Sequence, residues 1–162
     1  MLKSELISLY QALNKLGNLK GVKFAYGVSK NISIIKPEIE LLEKSATMTD
    51  EYKEFEEERI KMVEKFAKKD DKGKPIMVND VYDIEKDNQK ELNKAFEVLK
   101  SEHKKAFEAR EKQVQEYNEL LKTDSTIKLF KISLGDIPNE ITVAQMHSIS
   151  EIVEDSIPTP YK

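Results

Sequence analysis

Leu2, Leu6, Leu9, Leu13 and Leu16 recur in alternating steps of four and three, a spacing that sets one apolar side chain per turn on a single helical face. A narrow amphipathic helix is predicted there, with Gly17-Asn18 stopping it through a left-handed C-terminal cap. After Gly21 a second seam runs through Ala25, Val28, Ile32, Ile35, Ile39, Leu42 and Ala46, and its register passes straight through Pro37. Proline removes a helical hydrogen bond and crowds the preceding turn, so the pattern predicts a kink, or a helix starting afresh with Pro37 in its first turn. Thr47-Met48-Thr49-Asp50 offers capping residues, which places a further break near 45–49. Beyond it Tyr52, Phe55, Ile60, Met62, Val63 and Phe66 continue the apolar pattern to about Lys69.

Lys69-Asp70-Asp71-Lys72-Gly73-Lys74-Pro75 is polar and carries both glycine and proline, so it ends the helix and turns the chain. Residues 75–78, Asn79-Asp80 and residues 81–84 then read as strand, turn and strand of a hairpin. The next seam is Leu92, Phe96, Leu99, His103, Ala106, Arg110, Gln113, Tyr117 and Leu120. An unbroken helix over 87–122 would span about 50 Å at ~1.5 Å per residue. Because its middle is polar, a discontinuity or a partner contact is expected at His103, Arg110 and Gln113. Residues 126–134 form the clearest strand pattern, with Phe130, Ile132 and Leu134 alternating onto one face. Gly135-Asp136 and Pro138 turn the chain, and a capping box at Thr142 and Gln145, with Ile141 and Met146 as a hydrophobic staple, announces a last helix. That helix is expected to present Met146, Ile149, Ile152 and Val153 to the core, and the tail from Ser156, with Pro158 and Pro160, reads as frayed.

These elements predict an α+β fold that is predominantly α. One domain over 1–155 is expected to hold a long antiparallel helical hairpin (22–69 and 86–122), a small antiparallel β-sheet and a C-terminal helix, followed by a frayed tail over 156–162. A lone strand leaves its backbone groups without partners. Strand 126–134 is therefore expected to pair with 75–84, the other strand-like residues, or with another subunit.

Several segments together carry a resemblance: Val22-Lys23-Phe24-Ala25-Tyr26, Ile35-Lys36-Pro37-Glu38-Ile39-Glu40-Leu41-Leu42, the Lys69 to Pro75 turn, and Ile127-Lys128-Leu129-Phe130-Lys131-Ile132 before a Leu134-Gly135-Asp136 turn and closing helix. In this order they resemble a family of small helical proteins encoded by tailed phages and prophages. Against that pattern the chain has extra helical residues around 46–58 and 100–122. The resemblance implies a phage or prophage setting and brings no activity, cofactor or catalytic residue with it.

Composition narrows the function classes further. Charged residues make up 35% and aromatics 7% of the 162 residues, so apolar side chains are confined to stripes rather than filling a thick interior. Basic and acidic residues are interleaved and the net charge is −3, which gives nucleic acid no electrostatic footprint. The lysines at 61, 65, 68, 69, 72 and 74 are interrupted by Glu64, Asp70 and Asp71, and read as a solvated helix end. No apolar run approaches the ~18 residues of a membrane span, and Glu5 falls where a signal peptide has its apolar core. The expected location is the cytoplasm of the host bacterial cell, or the virion. With no cysteine, disulfides, thiolate metal sites and Cys nucleophiles are closed off.

Candidate chemistry is sparse. His103 lies on a seam, and His147 has Glu151 one turn on, a pair that falls short of the three protein ligands of a catalytic zinc. A di-iron carboxylate site needs Glu three residues before each His, and Lys100 and Ala144 stand there instead. Neither a phosphate-binding glycine loop nor a G-x-S-x-G elbow occurs. No catalytic, cofactor-binding or metal residue is assigned. Tyr10, Phe24, Tyr26 and Phe107 fall off the seams and, with Arg110, are the candidate protein-interaction residues, since aromatic and arginine side chains dominate interface hot spots. The expected function is a non-enzymatic protein that binds another protein, whether itself, a virion component or a host protein. A prefoldin-like chaperone subunit is the alternative, on the helix–hairpin–helix order of 50–122. A small-ligand binder with a dispersed site is a third reading.

Overall fold

The computed structural model describes residues 1–154, and the expectation of a frayed tail falls outside them. The chain is mostly helical, as the seams require. Its helices are α1 (Lys3–Asn14), α2 (Val22–Ala46), α3 (Asp50–Phe66), α4 (Lys86–Glu102), α5 (Lys104–Leu121) and α6 (Val143–Ser148). Among the described residues there are also four short strands: β1 (Met77–Val78), β2 (Val81–Tyr82), β3 (Ile132–Ser133) and β4 (Val153–Glu154). Among the described residues no helix is long and apolar enough to cross a membrane.

The chain forms two compact units, one from residues 1–45 with 116 onward and the other from 46–115. In the first, Leu6, Leu9, Leu13 and Leu16 are buried together with Val28, Ile35, Ile39 and Leu42 of α2. The buried face of α2 also holds Phe24, Gly27 and Asn31, so its inner register is 24, 28, 31, 35, 39 and 42 rather than one beginning at Ala25. Pro37 lies inside α2, which continues across it as one helix. Gly17 does not adopt the left-handed cap: α1 ends at Asn14 and the chain tightens through Lys15 N–H to Ala12 O and Leu16 N–H to Leu13 O.

The expected strand 126–134 is corrected most. Only Ile132–Ser133 is strand, and it pairs in parallel with Val153–Glu154, not with the hairpin. The turn after β3, α6 and a short 3₁₀ turn form the crossover that a parallel pair requires. Upstream, the buried Asn31 side chain supplies the missing partner. Its Nδ2 donates to Phe130 O at 2.8 Å, and Phe130 N–H donates to its Oδ1 at 2.8 Å, so one side-chain amide satisfies both backbone groups as a neighbouring strand would. Asn31 Nδ2 also donates to Gly27 O at 3.1 Å. The alternation of 130, 132 and 134 does not survive either, because Leu134 enters a 3₁₀ turn and is 46% exposed while Ile132 is buried. The closing helix starts where expected: Thr142 Oγ1 accepts from Gln145 N–H at 3.3 Å and Gln145 Oε1 accepts from Thr142 N–H at 2.9 Å. It is shorter than expected, and Ile149 and Ile152 reach the core from the 3₁₀ turn that follows.

In the second unit α3 and α4 pack antiparallel, with Phe55 beside His103 at one end and Ala67 bridging Ile84 at the other. The hairpin forms at the expected turn, β1 pairing antiparallel with β2. Asn79 (φ 50°) and Asp80 (φ 62°) both take the left-handed conformation that a two-residue hairpin turn needs. The preceding turn is closed by the Asp70 carboxylate, which accepts from Lys72 and Lys74 N–H, with Gly73 at φ 75°. The helix expected over 87–122 is interrupted at His103, the anticipated discontinuity.

A Cβ at Gly27 would sit 2.6 Å from Ile132 Cγ1, so Gly27 is what lets β3 lie against α2. Gly27→Ala is expected to destabilise the chain by about 1–3 kcal/mol, the usual cost of overpacking. Gly17, with nothing within 4 Å of a built Cβ, serves as the control. In urea unfolding Gly17→Ala should match wild type or gain slightly; equal midpoints for the two variants would contradict the close packing of β3 on α2.

Candidate protein-interaction surface

The second unit is assembled around Phe55, 1% exposed, whose ring meets Tyr52, Phe96, His103 and Phe107 at centroid distances of 5.4 to 6.3 Å. These rings come from three helices, and edge-to-face geometry lets them interlock in a small core. His103 sits at the break between α4 and α5, with Nε2 3.2 Å from Glu58 Oε2. The break between α2 and α3 is also held by side chains. Thr49 caps α3, Arg110 Nη1 donates to Ala46 O at 2.9 Å and to Gln113 Oε1 at 2.7 Å, and Gln113 Nε2 donates to Thr47 O at 2.9 Å. Carbonyls at a helix C-terminus have no intrahelical donor, so this pair of side chains supplies what the chain cannot.

At the other end the hairpin is pinned to the chain that leaves α3. Lys68 N–H donates to Asp83 O, Ile76 N–H to Lys68 O and Asp83 N–H to Ile76 O, closing a ring of three backbone bonds. Lys68 Nζ meets Asp83 Oδ2 at 2.9 Å, and that hydrogen bond holds the ammonium pKa above its ordinary value. Tyr82 Oη donates to Glu64 Oε1 at 2.8 Å, which likewise raises the phenol pKa. An isolated two-stranded hairpin is marginal in water, and these anchors replace the third strand it lacks.

They leave an apolar surface uncovered. Ile60, Met77, Val78 and Val81 are 41%, 51%, 56% and 67% exposed. Ile60, Val78 and Val81 border an open concavity of about 740 Å³ that is also lined by Val63, Ile84 and Leu92 and by the polar Arg59, Asp80, Asp83 and Gln89. Scattered exposed apolar residues are ordinary, but here several gather around one concavity and are fixed by hydrogen bonds behind them.

The residues singled out from sequence do not converge on it. Phe24 is 1% exposed in the first unit's core and is closed to any partner. Tyr10 packs half-buried against the same core. Tyr26 is 59% exposed in the first unit and stands edge-on to Phe130 at 5.9 Å, with the Lys30 ammonium 4.4 Å from the Phe130 ring centre. Phe107 packs on Phe55 in the second unit beneath the Lys100 ammonium, 4.2 Å from its ring centre. Arg110 is engaged within the unit by Ala46 and Gln113. Sequence reasoning found the hairpin but missed Val78 and Val81. Their exposure depends on the absence of a covering element, which the apolar pattern of 75–84 does not record. His147 is exposed in the first unit while His103 lies in the second, and among the described residues no three His, Asp or Glu side chains gather as metal ligands would. Comparison with family models, with curated proteins and with solved structures gives no match.

Arg110, expected from the sequence as a partner contact, is bonded within its own unit to Ala46 O. Losing a charged donor from a partly buried carbonyl costs about 1–3 kcal/mol. Arg110→Ala should therefore lower the urea midpoint clearly, with Arg110→Lys recovering only part of it because one ammonium does not reproduce the planar fork. A wild-type midpoint for Arg110→Ala would show that the Ala46 bond contributes nothing.

Proposed function

We propose that this chain is a non-enzymatic protein-binding protein and that the hairpin end of its second unit is the surface that meets the partner. The observation that carries this is the exposure of Ile60, Val78 and Val81 around one concavity whose backbone is already satisfied from behind. Holding apolar residues in water contributes nothing to folding, whereas burying them against a partner yields roughly 25 cal/mol per Å². A partner that presents an apolar segment fits this surface. The phage or prophage setting, with a virion or host protein as partner, rests on the sequence resemblance alone.

A prefoldin-like chaperone subunit is the second reading, favoured by the order α3, β1, β2, α4 with the hairpin at the far end of the helix pair. Under that reading the hairpins assemble with one another and the protein suppresses client aggregation. The two readings separate by experiment, because a chaperone holds many clients and a dedicated binder holds one.

The test places a photocrosslinking amino acid at Val78 and, as a control, at Val143, which is 88% exposed in the first unit. In the native host cell the Val78 probe should give one discrete adduct, absent with the Val143 probe and lost when Val81→Lys is added. Val81 is exposed, so this charge should move stability by no more than about 0.5 kcal/mol. Equal adducts from both probes, or none from Val78, would sink the proposal; a broad ladder of client adducts would favour the chaperone reading.

A further inference from the structure

The first unit carries a groove of its own. Val22 and Tyr26 of α2, Phe130 and Ile132 of the segment that runs into β3, and Glu154 of β4 line a concavity of about 430 Å³. Two of these side chains stand in water, Val22 at 89% and Tyr26 at 59% exposure. The walls are fixed from behind. Asn31 holds the Phe130 backbone, Tyr26 meets the Phe130 ring edge-on, and the Lys30 ammonium lies over that ring. The charges in the lining balance, Lys23 and Lys131 against Asp136 and Glu154, with Lys23 tied to Asp136 at 3.3 Å. A strongly charged occupant therefore gains little here. Glu154 is also the last described residue, so the chain itself arrives at the rim of this groove. Next in sequence come Asp155-Ser156-Ile157-Pro158-Thr159-Pro160-Tyr161-Lys162.

We propose that residues 157–161 of the same chain occupy this groove. Their chemistry matches it. Ile157, Pro158, Pro160 and Tyr161 are apolar or aromatic, and the flanking Asp155 and Lys162 balance in charge as the lining does. Pro158 and Pro160 have no backbone N–H to leave unpaired, and their fixed φ favours an extended, polyproline-like run. Such a run docks on aromatic side chains with little loss of chain entropy, and Tyr26 and Phe130 supply the rings. Reach selects this occupant over a separate molecule. Ile157 is three residues beyond Glu154, within about 10 Å of the rim at ~3.3 Å per residue, and Tyr161 is within about 23 Å. A tether this short holds the segment at an effective concentration in the millimolar range, so a contact too weak for a separate partner is filled in cis. A terminus whose prolines suggest fraying is thereby tied down. The hairpin surface belongs to the second unit, so the inference stands or falls separately from the proposed function.

The test is NMR on the full chain, read by backbone amide relaxation and by proton NOEs. In wild type the Ile157 and Tyr161 amides should have order parameters of about 0.85, the value of rigid backbone. Cross-peaks should join the Tyr161 ring, or the Pro158 and Pro160 protons, to the Tyr26 or Phe130 ring. Val22→Lys combined with Tyr26→Ser changes two exposed positions and should keep the wild-type helical spectrum. It should drop both order parameters below about 0.6 and remove the cross-peaks. Val143→Lys, at a position 88% exposed in the same unit, should change neither. When labelled and unlabelled chains are mixed, the contacts should arise within single molecules. Wild-type order parameters below about 0.6, missing cross-peaks, a tail indifferent to the double variant, or contacts that run between molecules would each overturn the inference.

Discussion

The first unit depends on how Asn31 is used. Its side-chain amide is fully buried within an otherwise apolar helix face, an environment that costs several kcal/mol for an unpaired amide. The cost is offset because each polar atom finds a partner: Nδ2 donates to Gly27 O and Phe130 O, and Oδ1 accepts from Phe130 N–H. The extended segment that leads into β3 is thereby fixed to α2 without a sheet. Gly27, one turn earlier, leaves the space into which Ile132 packs, so two non-apolar positions on one helix hold the segment in place and set its distance. Once the segment is seated, Ile132 joins the leucines of α1, β3 can receive β4, and Ile149 and Ile152 close the core.

Asn31 also explains why some of the fold was legible in the sequence and some was not. The seam of α1 was readable because Leu6, Leu9 and Leu13 recur in helical register, and those of α3 and α4 through Phe55, Leu92 and Leu99. The hairpin turn was readable because Asn79-Asp80 tolerates the left-handed backbone. The inner face of α2 was read correctly at Val28, Ile35, Ile39 and Leu42, but Gly27 and Asn31 carry no apolar signal, so the seam ran through Ala25 and Ile32 in place of Phe24 and Asn31. The same blind spot produced the wrong partner for residues 126–134. Periodicity records that a strand needs hydrogen bonds, and it does not record that a side-chain amide from a distant helix can supply them. The candidate surface was hidden for a related reason, because exposure of Val78 and Val81 depends on the absence of a covering element, which local pattern does not contain.

The second unit uses polar side chains differently. Arg110 and Gln113 close the break after α2, and the Lys68–Asp83 pair closes the junction under the hairpin, so polar groups fasten the two ends of a thin helix pair whose buried apolar residues are Phe55, Ala67, Leu92 and Leu99. Such a thin layer leaves both of its grooves open. One, bordered by the hairpin, sets Ile60, Val78 and Val81 among Arg59, Asp80, Asp83 and Gln89, and the other sets Met62 and Val98 among Glu58, Lys61, Lys65 and Glu102. This sparing use of hydrophobic residues is the physical basis for the proposal that the chain binds another protein.

The most direct test of the Asn31 account is hydrogen exchange at the Phe130 amide, measured by NMR in wild type and in Asn31→Leu. Phe130 belongs to no strand, so its protection reports the Asn31 bond alone. The account predicts slow exchange in wild type, approaching that of the buried core, and loss of that protection in Asn31→Leu together with a fall in stability of about 1–3 kcal/mol for each backbone group left unpaired. A Phe130 amide that exchanges in wild type as fast as those of exposed loops, or one that stays protected without Asn31, would contradict it.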